Sequence, residues 1–436
     1  MRYCLPDTIM TYEEGYKYMV RKIPLKRFYN SGAKTLSWLL ISNIFYSLSH
    51  WGLLVILVKY FTTKDVGFFT YATALAAPIF MLSEMQMKSV LVVEPENGKD
   101  DFKTYLTIRF LATTIAVLGL GLYCAFFEET NWIIFSVIVY KGVESMIDIL
   151  FGYLQKKDMM ILMSKINIIK TALTLIICFL VTLLCSNILT SLFSIICVSL
   201  LFYLVTLFFI HSKAKGNFDK VKFSTALDII KKSFPLGLSV LFGSYITNYP
   251  RITVGNICGP EILAYFGAYS YLVIGVFQIS APITTFLRQR LSRSYQMSNI
   301  HDFTRKINLS ISAFFIMGLA FLFSFVLFGP VVIKTLYNQD YVEFCNVIYY
   351  LIISQMLMTI SGIYSTAILS FNIYTKQAFI SFFVFVFVIL CSNCLIKNYG
   401  IYGGAYISII AAVISLSIYA KIYYNKIKEW KKNIAR

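Results

Sequence analysis

The sequence predicts an all-α polytopic membrane protein of about 12 transmembrane helices, arranged as two six-helix lobes around a central cavity with both termini cytoplasmic. Three observations lead there. Hydrophobic residues make up 58% of the 436 and charged residues 14%, where an ordinary soluble domain carries roughly 25% charged. Twelve apolar stretches reach the roughly 20 residues that a bilayer crossing demands. The basic residues also alternate from loop to loop, with 31 of the 39 Lys and Arg on one side and 4 on the other. So little polar surface does not coat a water-soluble globule of this size, which excludes a soluble enzyme.

In chain order the apolar stretches are 35–59, 66–87, 104–126, 131–153, 161–185, 188–211, 234–257, 261–285, 307–329, 343–370, 376–396 and 401–424. They divide the chain into a basic cytoplasmic segment (1–34), a first lobe (35–211), a cytoplasmic linker (212–233), a second lobe (234–424) and a basic tail (425–436). Residues 1–34 are polar and lack the continuous apolar core of a cleavable leader. The formal net charge of +18 follows from this topology, because positive loops stay cytoplasmic. A nucleic-acid partner is not expected: the basic residues punctuate apolar runs instead of gathering on a compact polar domain. The nine Cys are scattered along the chain, Cys391 and Cys394 lying within an apolar run, so neither a disulfide framework, a metal site nor a cofactor is expected.

A short internal repeat supports two halves: Val66-Gly67-Phe68-Phe69-Thr70-Tyr71-Ala72 opens the second span, and Leu263-Ala264-Tyr265-Phe266-Gly267-Ala268-Tyr269 stands near the start of the eighth. Parallel repeats of this kind occur in transporters that rock one half against the other.

Ionisable groups at membrane depth are costly and normally face a cavity or a partner. Lys141, Glu144, Asp148 and Gln155 fall within an arc of about 60° on the fourth span, at 100° per residue. Lys141–Glu144 is an i,i+3 pair, yet two acids against one base need a further cation or a proton. In the seventh span Arg251 follows Pro250, which is expected to break the helix, and it shares a face with Ser244, Asn248 and Gly255. Arg109 lies about a turn inside the third span and is placed to snorkel to the cytoplasmic interface. Lys170 in the fifth span points about 100° away from the polar stripe of Ser164, Asn167, Thr171 and Thr174. Glu84 and Lys88 in the second span read as an i,i+4 salt bridge, and His50 in the first lines up with Asn43 and Ser47. The expectation is one shared aqueous chamber, partly cationic, onto which the fourth and seventh helices both look.

Three stretches resemble a known family. Gly67-Phe-Phe-Thr-Tyr-Ala-Thr-Ala-Leu-Ala-Ala-Pro78 resembles the second span, and Lys141-Gly-Val-Glu144-Ser-Met-Ile-Asp148 through Gly152 to Gln155-Lys156 the fourth span, of the Wzx-type flippases of lipid-linked oligosaccharides. These are O-antigen and capsule exporters of the multidrug/oligosaccharidyl-lipid/polysaccharide exporter superfamily. Asn248-Tyr-Pro250-Arg251 and Tyr265-Phe-Gly-Ala-Tyr-Ser-Tyr271 resemble the family's Pro-Arg and aromatic-small run. The resemblance implies a non-enzymatic antiporter in the bacterial inner membrane that moves an undecaprenyl-diphosphate-linked oligosaccharide outward for O-antigen, lipopolysaccharide or capsule synthesis. Membrane lipids, a polysaccharide polymerase and chain-length machinery are its implied partners. Lys141, Arg251, Arg109, Lys170, Asn248 and Gln155 are then the expected substrate-binding residues, with Glu144 and Asp148 coupling a proton or sodium ion. Two other readings are a multidrug or cation exporter of the same superfamily, which calls for a net acidic lumen, and a polytopic glycosyltransferase or polymerase, for which Asp65 in the first external loop is the one residue a polyprenyl-phosphate-sugar transferase could use, the longest external loop (331–342) offering only Asp340 and Lys334.

Overall fold

The computed structural model describes residues 25–93, 102–127, 131–213, 223–278, 280–371 and 375–434. The basic segments 1–24 and 214–222 lie outside the described residues. The described chain is helical, apart from turns and one 3-10 turn at Gln339–Val342. In the first half run α1 (Leu25–Tyr60), α2 (Thr63–Glu84), the short α3 (Met87–Val93), α4 (Phe102–Phe127), α5 (Trp132–Lys156), α6 (Met160–Cys185) and α7 (Ile188–Lys213). The second half holds α8 (Phe223–Cys258), α9 (Pro260–Phe277), α10 (Ser280–Gln296), α11 (Ile300–Leu336), α12 (Val347–Ser370), α13 (Thr375–Tyr399) and α14 (Ile401–Ile434).

Among the described residues ten helices are long and apolar enough to cross a membrane. The remaining two long helices are α5, which carries Lys141, Glu144 and Asp148, and α8, which carries Arg251. These are the helices whose polar groups need protein or water around them, and α5 is accordingly buried over most of its length. By contrast α11 turns Leu309, Ile316, Phe323 and Val331 outward, the all-round apolar surface expected against lipid.

Three boundaries differ from the sequence expectation. The second span stops at Glu84, because Met85 and Gln86 adopt left-handed backbone (φ 48° and 54°) before α3 restarts the helix. The eighth span stops at Phe277; Pro282 lies in the first turn of the separate α10, where its missing N–H costs nothing. Pro250 does not break the seventh span: α8 continues through Pro235 and Pro250, each removing one backbone hydrogen bond without ending the helix.

Helix α2 is the hinge piece of the packing. It lies against α5 in the first half and against α8 and α9 in the second, while α1 also touches α9. The repeated segments meet each other here. A Cβ on Gly67 would run into the carbonyl of Pro260, and one on Gly267 into Thr70, so both glycines exist to let α2 and α9 approach. The same end is tied by the α11–α12 connection. Trp51 Nε1 donates to the Tyr337 hydroxyl (3.1 Å), that hydroxyl donates to the Ala268 carbonyl (3.0 Å), and Asn338 Nδ2 donates to the Val58 carbonyl (3.0 Å). The two halves are thereby tied together at the end where α1 meets α2 and α8 meets α9.

Gly67→Val and Gly267→Val are each expected to destabilise the protein by about 1–3 kcal/mol, the usual cost of overpacking. Thermal unfolding of the purified protein checks this, with Gly243→Ala as the control because nothing lies within 4 Å of a Cβ there.

Candidate functional site

The polar stripe of α5 lines a cavity of about 360 Å³. Lys141, Glu144 and Asp148 form one wall; Asn43 of α1, Glu84 of α2 and Lys170 of α6 close the others. The helices bring cations to both α5 carboxylates. Glu144 is held by Lys170 Nζ at 2.6 Å and accepts a hydrogen bond from Ser199 Oγ of α7 at 2.9 Å. Asp148 is held by Lys88 Nζ at 2.8 Å on one oxygen and by Arg109 Nη2 at 3.3 Å on the other. Glu84 of α2 faces the same space beside Lys88, Lys141 and Ser145.

Several pairings depart from those the sequence suggests. Lys141 and Glu144 do not pair; Glu144 turns to Lys170, whose side chain reaches across the α5–α6 interface from a position that looked misdirected on the helical wheel. A wheel shows one helix and not its neighbour, and four methylenes span the difference. Glu84 and Lys88 do not pair either, since the left-handed residues between them destroy the i,i+4 geometry and send Lys88 to Asp148. Arg109 does not snorkel. It is fully buried, and its Nε and Nη1 have no hydrogen-bond partner among the described residues. Gln155, two turns beyond Asp148 at the end of α5, is half-buried and outside the lining of this cavity.

Four cations (Lys88, Arg109, Lys141, Lys170) therefore face three carboxylates (Glu84, Glu144, Asp148) around this space. Lys141 is the cation left over: it lines the cavity, lies 6.0 Å from the ring of its neighbour Tyr140, and forms no ion pair among the described residues. Ser199, which bonds Glu144, and Tyr46, which lines the cavity, carry no sequence signal that marks them as members of the site. Nothing on a single apolar helix such as α7 marks one serine among several as a carboxylate partner.

Arg251 is elsewhere. With Thr247, Ser354 and Gln355 it lines a separate cavity of about 60 Å³ in the second half. Its guanidinium stacks 4.8 Å from the centre of the Tyr271 ring, and Nη1 donates to Asn248 Oδ1 at 3.4 Å. Asn248 in turn donates to the Ser244 carbonyl at 3.0 Å, so it is occupied within its own helix. The Tyr271 hydroxyl donates to Thr73 of α2 at 3.0 Å. The single shared chamber is thus corrected to two cavities, divided by α2 and this Arg251–Tyr271–Thr73 bridge. One further space borders the ionic cavity. Asn43 also lines an apolar groove of about 310 Å³ between α1 and α9, walled by Ile44, Leu48, Trp51, Leu272 and Val276.

A model of the polysaccharide biosynthesis protein family matches residues 33–288, which contain the whole ionic cavity and Arg251. The chain belongs to that family. It is 25% identical over 403 residues to the capsular polysaccharide biosynthesis protein CapF of Staphylococcus aureus, covering 89% of this chain and 98% of that one. Its fold is that of the multidrug/oligosaccharidyl-lipid/polysaccharide exporter superfamily. An inward-facing multidrug resistance MATE transporter of the superfamily superposes with a TM-score of 0.71 at 13% identity, over 89% of this chain and 96% of that one. An outward-facing MATE structure gives 0.62 at 12% identity (92% and 96% covered), and a superfamily transporter from Pyrococcus furiosus, described as having a binding pocket of reverse polarity, gives 0.61 at 12% (91% and 96%). This family member is therefore an all-helical, multi-pass membrane protein of transporter fold.

Because Lys170 and Glu144 are both largely withdrawn from solvent, Lys170→Met is expected to destabilise by about 3–5 kcal/mol, leaving a buried charge without its partner. Adding Glu144→Gln in the same chain is expected to recover most of that loss in a thermal or denaturant titration.

Proposed function

We propose that the protein is a flippase: it carries an undecaprenyl-diphosphate-linked oligosaccharide from the cytoplasmic to the external leaflet by alternating access, for capsule or O-antigen assembly. The observation that carries this reading is the surplus cation. Both α5 carboxylates are already neutralised by Lys88, Arg109 and Lys170, so Lys141, which lines the cavity without an ion pair among the described residues, presents positive charge and donors to a diphosphate. The apolar groove that shares Asn43 with the ionic cavity gives the polyprenyl tail a path beside α1 and α9 while the headgroup is inside. Placing the tied end of the halves on the external side, as the loop charges do, fits a state that loads from the cytoplasm. On this reading α5 and α8 are the remaining two of 12 spans, in two six-helix lobes, with both termini cytoplasmic in the bacterial inner membrane. Arg251, Asn248 and Gln155 are assigned to later contacts, after the halves have moved.

Glu144 and Asp148 are the proposed ion-coupling pair. A diphosphate that draws Lys170 or Lys88 toward itself bares a carboxylate in a low-dielectric site, which then takes a proton or sodium ion. Outward movement of an anion is in any case favoured by about 2.3 kcal/mol per charge per 100 mV, inside negative. The capsule-related name of the Staphylococcus aureus relative supports the polysaccharide role. The drug-exporter reading is weaker because the acids lining the cavity are matched in number by Lys88, Lys141 and Lys170, so the lumen is not net acidic. The glycosyltransferase reading is weaker because Asp65 is engaged at the start of α2, where Thr62 is the cap: the Asp65 N–H donates to Thr62 Oγ1 at 3.2 Å and its carboxylate accepts from that hydroxyl at 2.7 Å.

Deletion of the gene is expected to abolish surface polysaccharide and to accumulate single lipid-linked repeat units on the cytoplasmic side. A rise in drug sensitivity alone would favour the exporter, and normal unit export with failed polymerisation the enzyme. In proteoliposomes Lys141→Ala is expected to slow translocation about 10- to 100-fold, the loss of one charge-assisted phosphate contact, with little change in melting temperature. Transport that is unaltered by Glu144→Gln/Asp148→Asn and indifferent to uncouplers would remove the coupling role.

A further inference from the structure

The amphipathic α10 docks one face and leaves another without a partner. Leu287, Leu291 and Ser294 are buried against α11 and α12. On the open side Ile283, Phe286, Arg290 and Arg293 fall within about 80° at 100° per residue, and all four are exposed. The stripe is graded along the helix. Its first half is apolar, with Ile283 41% and Phe286 40% exposed, and its second half is basic. The Arg290 guanidinium lies 4.2 Å from the centre of the Phe286 ring, a contact that holds it at the junction of the two. No acidic residue occurs anywhere in α10, and neither arginine forms an ion pair among the described residues. The helix follows the end of α9 and precedes the start of α11, on the side that the loop charges assign to the cytoplasm.

We infer that α10 binds an anionic phospholipid of the cytoplasmic leaflet, its phosphate between Arg290 and Arg293 and the start of one acyl chain against Phe286 and Ile283. Arginine suits this role because its planar fork makes two parallel bonds to phosphate oxygens. A basic-plus-apolar stripe is the pattern that seats a helix in the interface and selects anionic headgroups. The occupant is a membrane phospholipid and not the transported carrier, because the ionic cavity that suits the carrier's headgroup lies in the first half, across the α1–α9 groove. Gln278, two residues before α10, lines that groove, so the bound lipid anchors the cytoplasmic end of the helix that borders it.

The test uses the full-length protein, purified in mild detergent and returned to nanodiscs of phosphatidylcholine alone, with phosphatidylglycerol, or with undecaprenyl phosphate. Wild type is expected to retain phosphatidylglycerol by native mass spectrometry and to melt several degrees higher with it than in phosphatidylcholine. Arg290→Gln/Arg293→Gln is expected to lose both effects while melting like wild type in phosphatidylcholine, and Phe286→Ala to retain markedly less lipid. Equal stabilisation by all three membranes, undiminished retention by the double variant, or retention of undecaprenyl phosphate in place of phosphatidylglycerol would each overturn the proposal.

Discussion

Two carboxylates on one face of α5 cannot stand bare inside a membrane, and much of the first half is arranged to answer them. Glu144 takes Lys170 from α6 and Ser199 from α7; Asp148 takes Lys88 from α3 and Arg109 from α4. Four elements distant in sequence are thereby indexed to one helix. Nonspecific apolar packing gives no such register, because lipid tails compete with every leucine–leucine contact. The arrangement also explains how α5 carries three charged residues at mid-length, Lys141, Glu144 and Asp148, while being among the best buried helices.

Satisfying the acids fixes the character of the remaining space. Once each α5 carboxylate has its cation, Lys141 lines the cavity without an ion pair among the described residues, and on the proposed reading it is the charge offered to an anion. The second half supplies a different arrangement, in which Arg251 has an aromatic ring and an amide but no carboxylate partner among the described residues. Two electropositive pockets, one in each half and separated by α2, suit sequential handling of an anionic headgroup as the halves rock. The close approach of α2 and α9 at Gly67 and Gly267 is the contact that such a motion must undo.

Much of this was legible in the sequence. Span positions follow from apolar run length, and the importance of Lys141, Glu144 and Asp148 from the cost of charge in hydrocarbon. The repeat at Val66 and Leu263 also marked real neighbours, since those segments pack on each other. What the sequence hid was partner choice. The nearest charge along the helix is not the nearest in space: Lys170 outcompetes Lys141 for Glu144, and two left-handed residues at Met85 and Gln86 redirect Lys88. Those residues are neither glycine nor asparagine, so no local signal announces them. The separation of Arg251 from the α5 stripe was equally hidden, because helical wheels carry no information on which helix stands between two others.

The most direct measurement is the accessibility of position 141. In a cysteine-less background, Lys141→Cys is exposed to a charged, membrane-impermeant thiol reagent from the cytoplasmic face, with and without the lipid-linked oligosaccharide. A water-filled, headgroup-binding cavity predicts rapid labelling that the lipid-linked sugar slows. A cysteine that stays unlabelled from that side, or labels at the same rate with the carrier present, would contradict the account.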